Sequence, residues 1–161
     1  MTDTSEDRWR EICRGVESLE DSTQLNPFDA RPHYHLGMAI SARHKYAMRT
    51  GRDDELPSHE EAAESMIHAL ETAISLERRC LYYNCPNGIN IGAAYLALGD
   101  FLLRLKSLDK AMSYLNFVEG AIQESGDTEE EWARGMMDEA TSMINYCNEE
   151  MNGQRLRAVK A

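Results

Sequence analysis

AAYLALGDFLLRLKSLDKAMSYLNFVEGAIQ, residues 93–123, is the stretch that decides the fold of this chain. Its large apolar residues recur at helical spacing before and after the polar pair Lys106-Ser107, which predicts two helices joined by a short turn. Gly99 and Ala111 are small, so we expect them where the two antiparallel helices approach most closely. The space around them would be filled by Tyr95, Leu98, Leu102, Leu108, Leu115 and Val118. One such hairpin cannot bury its own apolar face, and it therefore needs neighbouring helices.

A second segment upstream repeats the residue spacing of the first of these two helices. Residues 31–46 carry His33, Leu36-Gly37 and Ile40 at the same spacing as Tyr95, Leu98-Gly99 and Leu102. The matching second helix is predicted over residues 66–77, with Met66, Leu70, Ala73 and Ile74 as its apolar positions. Between the two halves, residues 48–59 are polar and contain Gly51 and Pro57. They predict a long inserted loop that is exposed and mobile.

Further helices are predicted at both ends of the chain. Pro27 would end a first helix, and Asp29 would cap the next one. Near the C-terminus, Asp127 and Thr128 would open a closing helix. The only β-like run, Leu81-Tyr82-Tyr83, lies in a connector that also contains the turn signal Cys85-Pro86-Asn87-Gly88. The pattern predicts six helices, near residues 5–24, 30–49, 58–78, 90–105, 108–124 and 128–151.

The order Tyr95, Leu98-Gly99, Leu102, Ala111 and Leu115 resembles the tetratricopeptide repeat, a helix-turn-helix unit that stacks into arrays. The resemblance implies an all-α fold of antiparallel helix hairpins, arranged as a short right-handed solenoid or superhelix. It divides the chain into a degenerate N-terminal repeat helix (1–29), a hairpin with a long inserted loop (30–78), a connector (79–91), a complete hairpin (92–124) and a C-terminal capping helix with a tail (125–161).

The resemblance also implies a binding surface, because the first helix of each hairpin lines the concave groove in this family. The groove residues would be Arg31, Tyr34, His35, Met38, Ser41, Ala42, Lys45, Ala93, Leu96, Ala97, Asp100, Leu103 and Arg104, with His33, Leu36, Gly37 and Ile40 on the opposite, packed face. Residues 30–49 contain four basic side chains and no acid, whereas the whole chain has a net charge of −11. This contrast favours a protein or peptide partner with acidic residues and apolar anchors. The alternative is that the cations pair with the protein's own acids.

Composition excludes several other classes. A net charge of −11 argues against nucleic-acid binding, because phosphate contacts need a basic surface. There is no apolar run long enough to insert into a membrane, and the acidic N-terminus does not resemble a targeting peptide. We expect an intracellular, reducing location, the cytoplasm in the first place and an organelle matrix if a transit peptide has been removed.

No residue pattern indicates catalysis, a metal ion or a cofactor. Of the four cysteines only Cys80 and Cys85 are close, and no second Cys/His pair follows at zinc-binding spacing, so free thiols are expected. The chain has no Gly-rich phosphate loop, no nucleophile elbow and no converging acid–base groups. We therefore expect a protein that is not an enzyme.

Three functions fit a non-catalytic helical repeat. The first is a scaffold or adaptor, as a subunit or assembly factor of a larger complex. The second is a small secretion chaperone for an unfolded client, because acidic repeat proteins of this size serve type III secretion systems. The third is a tail-anchored organelle adaptor, against which the basic, polar segment 155–161 argues. A clamp for the acidic tails of heat-shock chaperones is disfavoured, because Tyr34 and Met38 stand where that subfamily has cationic or amide side chains.

Overall fold

The computed structural model describes residues 4–82 and 88–161, and these residues are helical nearly throughout. The described ranges contain six α-helices: α1 (Thr4–Leu25), α2 (Ala30–Thr50), α3 (His59–Tyr82), α4 (Ile91–Arg104), α5 (Leu108–Ser125) and α6 (Glu131–Lys160). One short 3-10 helix, Asp53–Glu55, lies between α2 and α3, and the described ranges contain no strand. The predicted all-α class and the predicted number of helices are both confirmed.

The chain divides into two compact units, residues 1–89 and 90–161. In the first unit α2 is the central helix, since it packs against α1, α3 and the 3-10 segment. In the second unit α5 packs between α4 and α6, and α6 also touches α4. Each unit is thus an antiparallel hairpin with one additional helix.

The helix ends follow the predicted local chemistry in most places. The Asp29 carboxylate accepts a hydrogen bond from the backbone N–H of Arg31 at 3.0 Å, which confirms Asp29 as the N-cap of α2. Asn90 caps α4 in the same way through the N–H of Ala93. Gly51 (φ 69°) and Gly126 (φ 78°) end α2 and α5 in the left-handed conformation that glycine adopts without steric strain.

Three predicted boundaries are wrong. Helix α3 continues to Tyr82, so its last turn occupies residues assigned to the connector and to a β-like run. Helix α6 begins at Glu131, after a turn over 128–130, and not at Asp127 or Thr128. It also continues through the predicted tail to Lys160, because residues 152–160 hold no proline and one glycine. Tyr83, Cys85, Pro86 and Asn87 of the predicted connector lie outside the described residues.

Both hairpins are held by the same contact between a glycine and a leucine. A Cβ atom placed on Gly37 would lie 2.4 Å from Cδ2 of Leu70, and one placed on Gly99 would lie 2.3 Å from Cδ2 of Leu115. Such distances are far inside van der Waals contact, so each leucine occupies the space that only a glycine leaves open. The other residues of the shared pattern are also buried: His33, Leu36, Ile40, Met66 and Ala73 in one hairpin, and Tyr95, Leu98, Leu102, Ala111 and Val118 in the other.

The inserted segment between α2 and α3 was expected to be exposed and mobile. Most of its residues are exposed, but Arg52 and Leu56 are half-buried, and contacts tie the segment to α1. Trp9 donates a hydrogen bond from Nε1 to Oε2 of Glu55 at 2.8 Å, and Arg52 pairs with Glu6 at 2.6 Å and with Glu55 at 3.0 Å. Leu56 packs beside Trp9 and Tyr46, whose rings stack at 6.1 Å. The sequence pattern missed this attachment because its partners lie more than forty positions apart.

Candidate interaction surface

The inner face of α2 is fully occupied by packing within the first unit. His33, Leu36, Gly37 and Ile40 are all buried, as the sequence predicted for the core-facing side. The Nε2 atom of His33 lies 3.1 Å from the backbone carbonyl of Pro27. A carbonyl oxygen can only accept, so this nitrogen donates and the buried imidazole is satisfied by the turn before α2. These four residues of the inner face therefore serve packing within the first unit.

The outer face of α2 is exposed along its whole length. Exposed side chains recur at alternating intervals of three and four residues, which places them on one side of the helix. We call this set the α2 stripe, and its members are Arg31, His35, Met38, Ala42, Lys45 and Arg49. Met48, which is 53% exposed, and half-buried Tyr34 lie beside it.

Ser41 was predicted to line this surface, and the structure corrects that placement. Its side chain is only 6% exposed, and it belongs to the packed side of α2 with Ile40 and His44. The error arises because position 41 lies between Ile40 on the packed face and Ala42 on the exposed face. Its polar side chain favoured the exposed face in the prediction. Arg49 was not assigned to the surface, although the same three-and-four spacing that links Met38, Ala42 and Lys45 extends to it.

The cations of the α2 stripe differ in their local pairing. Arg31 forms an ion pair with Asp29 at 2.7 Å, so the charge at the start of α2 is compensated within the chain. The hydrogen bond between these side chains raises the pKa of Arg31 and lowers the pKa of Asp29. Arg49 lies over the ring of Tyr46, 5.7 Å from its centroid, with its guanidinium at the surface. Arg31 therefore follows the alternative interpretation, in which a basic side chain pairs with an acid of the protein itself.

Tyr34 and Met38 supply the apolar part of the surface. Met38 is 37% exposed, and Tyr34 is half-buried with its ring against the edge of His35 at 5.6 Å between centroids. Burial raises the pKa of Tyr34, so its hydroxyl stays protonated at neutral pH and can donate or accept a hydrogen bond. An aromatic ring, a thioether and cations along one helix are the side chains that protein interfaces favour.

The residues predicted to line a groove on α4 lie in the second unit and form a more enclosed surface. Leu96, Asp100, Leu103 and Arg104 are all half-buried. Arg104 pairs with Asp100 at 3.3 Å and lies over the ring of Phe101 at 5.2 Å. Burial lowers the pKa of Arg104, against the opposing effect of Asp100. The charges on α4 thus compensate each other, and the exposed cations that the sequence predicted are found on α2.

Within the described residues, no group of three or more His, Cys, Asp or Glu side chains is placed to hold a metal ion. Cys13, Cys80 and Cys147 are free thiols, and Cys85 lies outside the described residues. Burial raises the pKa of the Cys13 and Cys147 thiols. Across the described part of the chain, no helix combines the length and the apolar character that crossing a membrane requires.

Comparisons of this chain with protein-family models, with curated proteins and with solved structures find no match. Its resemblance to the tetratricopeptide repeat therefore rests on the two sequence patterns.

Proposed function

We propose that this protein is a non-catalytic interaction module with tetratricopeptide-like hairpins, acting as a scaffold or adaptor within a larger complex. Its partner would be a protein segment, most simply a helix, that binds along the α2 stripe with apolar anchors and acidic residues. The observation that carries the proposal is the α2 stripe itself, because it holds three of the four basic residues of α2 and no acid in a chain whose net charge is −11.

The chemistry of the stripe supports an amphipathic acidic partner. Met38 and the neighbouring Tyr34 offer apolar area in the first half of α2, and Lys45 and Arg49 lie about two and three turns beyond Met38. An apolar anchor would bury against the first pair, while acidic residues would orient toward the second pair. Arg31 contributes little to this recognition, since Asp29 already compensates its charge.

Site-specific photo-crosslinking in the native source tests the proposal. A photoreactive amino acid in place of Met38 should capture one defined partner, and the same amino acid in place of Ser65, exposed on α3, should not. Capture from Ser65 but not from Met38 would contradict the assignment of the surface.

The kind of capture also separates the two functions that the sequence favours. A scaffold or adaptor should yield one partner at fixed stoichiometry, and the complex should survive purification. A secretion chaperone should instead yield a client that is released when it folds or is exported. Mass spectrometry of the crosslinked product, together with its stoichiometry, distinguishes these results.

A further inference from the structure

The longest helix of the chain has a face whose side chains are largely exposed. Within its own unit, Lys106 contacts Tyr146 on this face, with Nζ 3.5 Å from the hydroxyl oxygen and 5.9 Å from the ring centroid. Helix α6 spans 30 residues against 18 in α5, and is therefore about 45 Å long. Ala133, Ala140 and Cys147 are buried at intervals of seven residues and form the side that faces its neighbours. On another side, a second seven-residue pattern runs from one end of the helix to the other. We call it the α6 stripe, and its members are Trp132, Gly135, Glu139, Ser142, Tyr146, Glu149, Gly153, Leu156 and Lys160.

Large side chains on this stripe remain accessible. Trp132 is 41% exposed, Tyr146 39% and Leu156 62%. The open cavity beside Asp109, with a volume of 320 Å³, is bordered on α6 by Met151, Gln154, Arg155 and Ala158. Asp109 lies in the first turn of α5, so the part of α6 that carries Leu156 lies beside the start of α5. Leu156 and Val159 remain exposed at this end of α6.

The two glycines of the stripe are not required by packing inside the chain. A Cβ atom on Gly135 would meet no atom of the described residues within 4 Å, and one on Gly153 would meet only the guanidinium of Arg157 at 3.8 Å. Glycine within a helix lowers its stability relative to alanine. Gly37 and Gly99 show the alternative in this chain, since each is filled by a leucine from a neighbouring helix. Gly135 and Gly153 could make the same glycine–leucine contact if another polypeptide chain supplied the leucine.

Charge is distributed unevenly along α6. Its first nine residues carry three acids, Glu131, Asp138 and Glu139, and one cation, Arg134, whereas its last ten residues carry Arg155, Arg157 and Lys160 and no acid. Two copies of this helix in antiparallel orientation would place the acidic end of each against the basic end of the other. A parallel arrangement would place like charges together, and it is disfavoured for that reason.

We propose that the α6 stripe is the interface of a two-fold symmetric homodimer in which two α6 helices pack antiparallel. Trp132 and Lys160 lie fourteen residues on either side of Tyr146, and Glu139 and Gly153 lie seven residues on either side, so Tyr146 lies near the axis and close to its own copy. Gly135 lies eleven residues before Tyr146 and Leu156 ten residues after it, so these two match to within one residue. Leu156 of one chain then lies opposite Gly135 of the other, repeating between chains the leucine–glycine contact found within each hairpin. Glu139 lies opposite Gly153 of the other copy, where the guanidinium of Arg157 rests, and the two form an intermolecular ion pair.

This dimer is independent of the proposed partner site, because the α2 stripe belongs to the first unit and the α6 stripe to the second. The central test of the dimer is a substitution that stabilises α6 and fills the space beside Gly135 that Leu156 of the other copy would occupy. Gly135→Gln raises helix propensity, so the isolated chain should melt at the same or a higher temperature. The glutamine should nevertheless weaken dimerisation by roughly tenfold or more, because it occupies the place of Leu156 from the other copy.

Light scattering coupled to size exclusion, performed on the full chain over a roughly hundredfold range of concentration, measures the association. The wild-type chain should approach twice its mass of 18.3 kDa. Gly120→Gln is the matched control, since Gly120 is exposed in the middle of α5 and a Cβ there also meets nothing within 4 Å. This control should dimerise like the wild type. Equal association by the Gly135 and Gly120 variants would overturn the proposed interface.

A charge exchange tests the orientation of the two helices. Glu139→Arg alone and Arg157→Glu alone should each weaken the dimer, because each places like charges at both symmetric positions. Combining the two substitutions should restore association toward the wild-type value. A chain that stays monomeric throughout the concentration range contradicts the dimer and leaves a different protein as the occupant of the stripe. A combined variant no better than the single variants contradicts the antiparallel register.

Discussion

Cδ2 of Leu115 lies 2.3 Å from the position that a Cβ atom on Gly99 would occupy, so the α4–α5 hairpin closes only because residue 99 has no side chain. Leu115 is 1% exposed, and Leu98, Leu102 and Ala111 of the same hairpin are fully buried. The leucine cannot shift easily among such neighbours, since a packed core has little free volume. This one contact fixes how closely the two helices approach.

Gly99→Ala should therefore destabilise the protein by roughly 1 to 3 kcal/mol through overpacking. Leu115→Ala should destabilise it by roughly 2 to 5 kcal/mol through the cavity it leaves. In the double variant the new methyl group enters the vacated space, so its loss should be smaller than the sum of the two. Urea denaturation of all four proteins measures this coupling, and strict additivity would show that the two residues do not meet.

Gly37→Ala provides the equivalent prediction in the first unit. A Cβ there would lie 2.4 Å from Cδ2 of Leu70, which is fully buried, and we expect a loss of roughly 1 to 3 kcal/mol. Gly15→Ala in α1 is the control, because Gly15 is exposed and has no neighbour within 4 Å. This second change should stabilise the chain by roughly 0.5 to 1 kcal/mol through helix propensity. The two alanines should thus shift the urea midpoint in opposite directions.

The segment between α2 and α3 should resist proteolysis in the intact protein. Arg52 is a trypsin site, and its guanidinium is engaged by both Glu6 and Glu55. Removing these carboxylates with Glu6→Ala and Glu55→Ala should release the segment and accelerate cleavage after Arg52. Glu60→Ala changes an exposed acid at the start of α3 and should leave the cleavage rate unchanged. Rapid cleavage of the wild-type chain at Arg52 would show that the contacts with α1 do not hold the segment.

The cap of α2 gives a prediction about pH. The Arg31 hydrogen bond lowers the pKa of Asp29 below its ordinary value of 3.8. A lowered carboxyl pKa contributes stability that is present above the unfolded-state value and is lost as the pH falls through the folded-state value. The effect is small, since Arg31 is largely exposed and solvent screens the pair.

Two substitutions at Asp29 separate the cap from the charge. Asp29→Asn keeps a capping side chain and should remove this site's loss of stability below about pH 4. Asp29→Ala should lower stability at neutral pH by about 1 kcal/mol. Thermal melts between pH 3 and 7 check both expectations. If the wild type and Asp29→Asn lose the same stability at low pH, the loss would be due to other carboxyl groups.

The sequence predicted those parts of the fold that depend on local spacing. The hairpin around Gly99, the buried face of α2 and the cap at Asp29 all follow from residues within a few turns of one another. The attachment of Glu55 to Trp9 could not be predicted, because it depends on where two distant segments meet. The outer face of α2 was predicted apart from two residues: Ser41 was included although it is buried, and Arg49 was left out although it is exposed. A spacing pattern separates exposed from buried positions, but it does not identify what binds them.

The partner surface can be tested by affinity once crosslinking has identified the bound segment. Met38→Ala should weaken binding by roughly 1 to 2 kcal/mol, because it removes an apolar anchor from the middle of the α2 stripe. Lys45→Glu should chiefly slow association with an acidic partner, and its effect should shrink at high salt as charges are screened. Arg31→Glu should have a small effect on association, since Asp29 already compensates Arg31 in the free protein.

Arg14→Glu is the matched charge reversal for these measurements, because Arg14 is exposed on α1, outside the α2 stripe. Association rates measured by surface plasmon resonance at two salt concentrations separate steering from anchoring. A loss that is equal for Arg14→Glu and Lys45→Glu would reflect the overall charge of the protein and not a defined surface. Full affinity in the Met38 and Lys45 variants would exclude the outer face of α2 as the binding site.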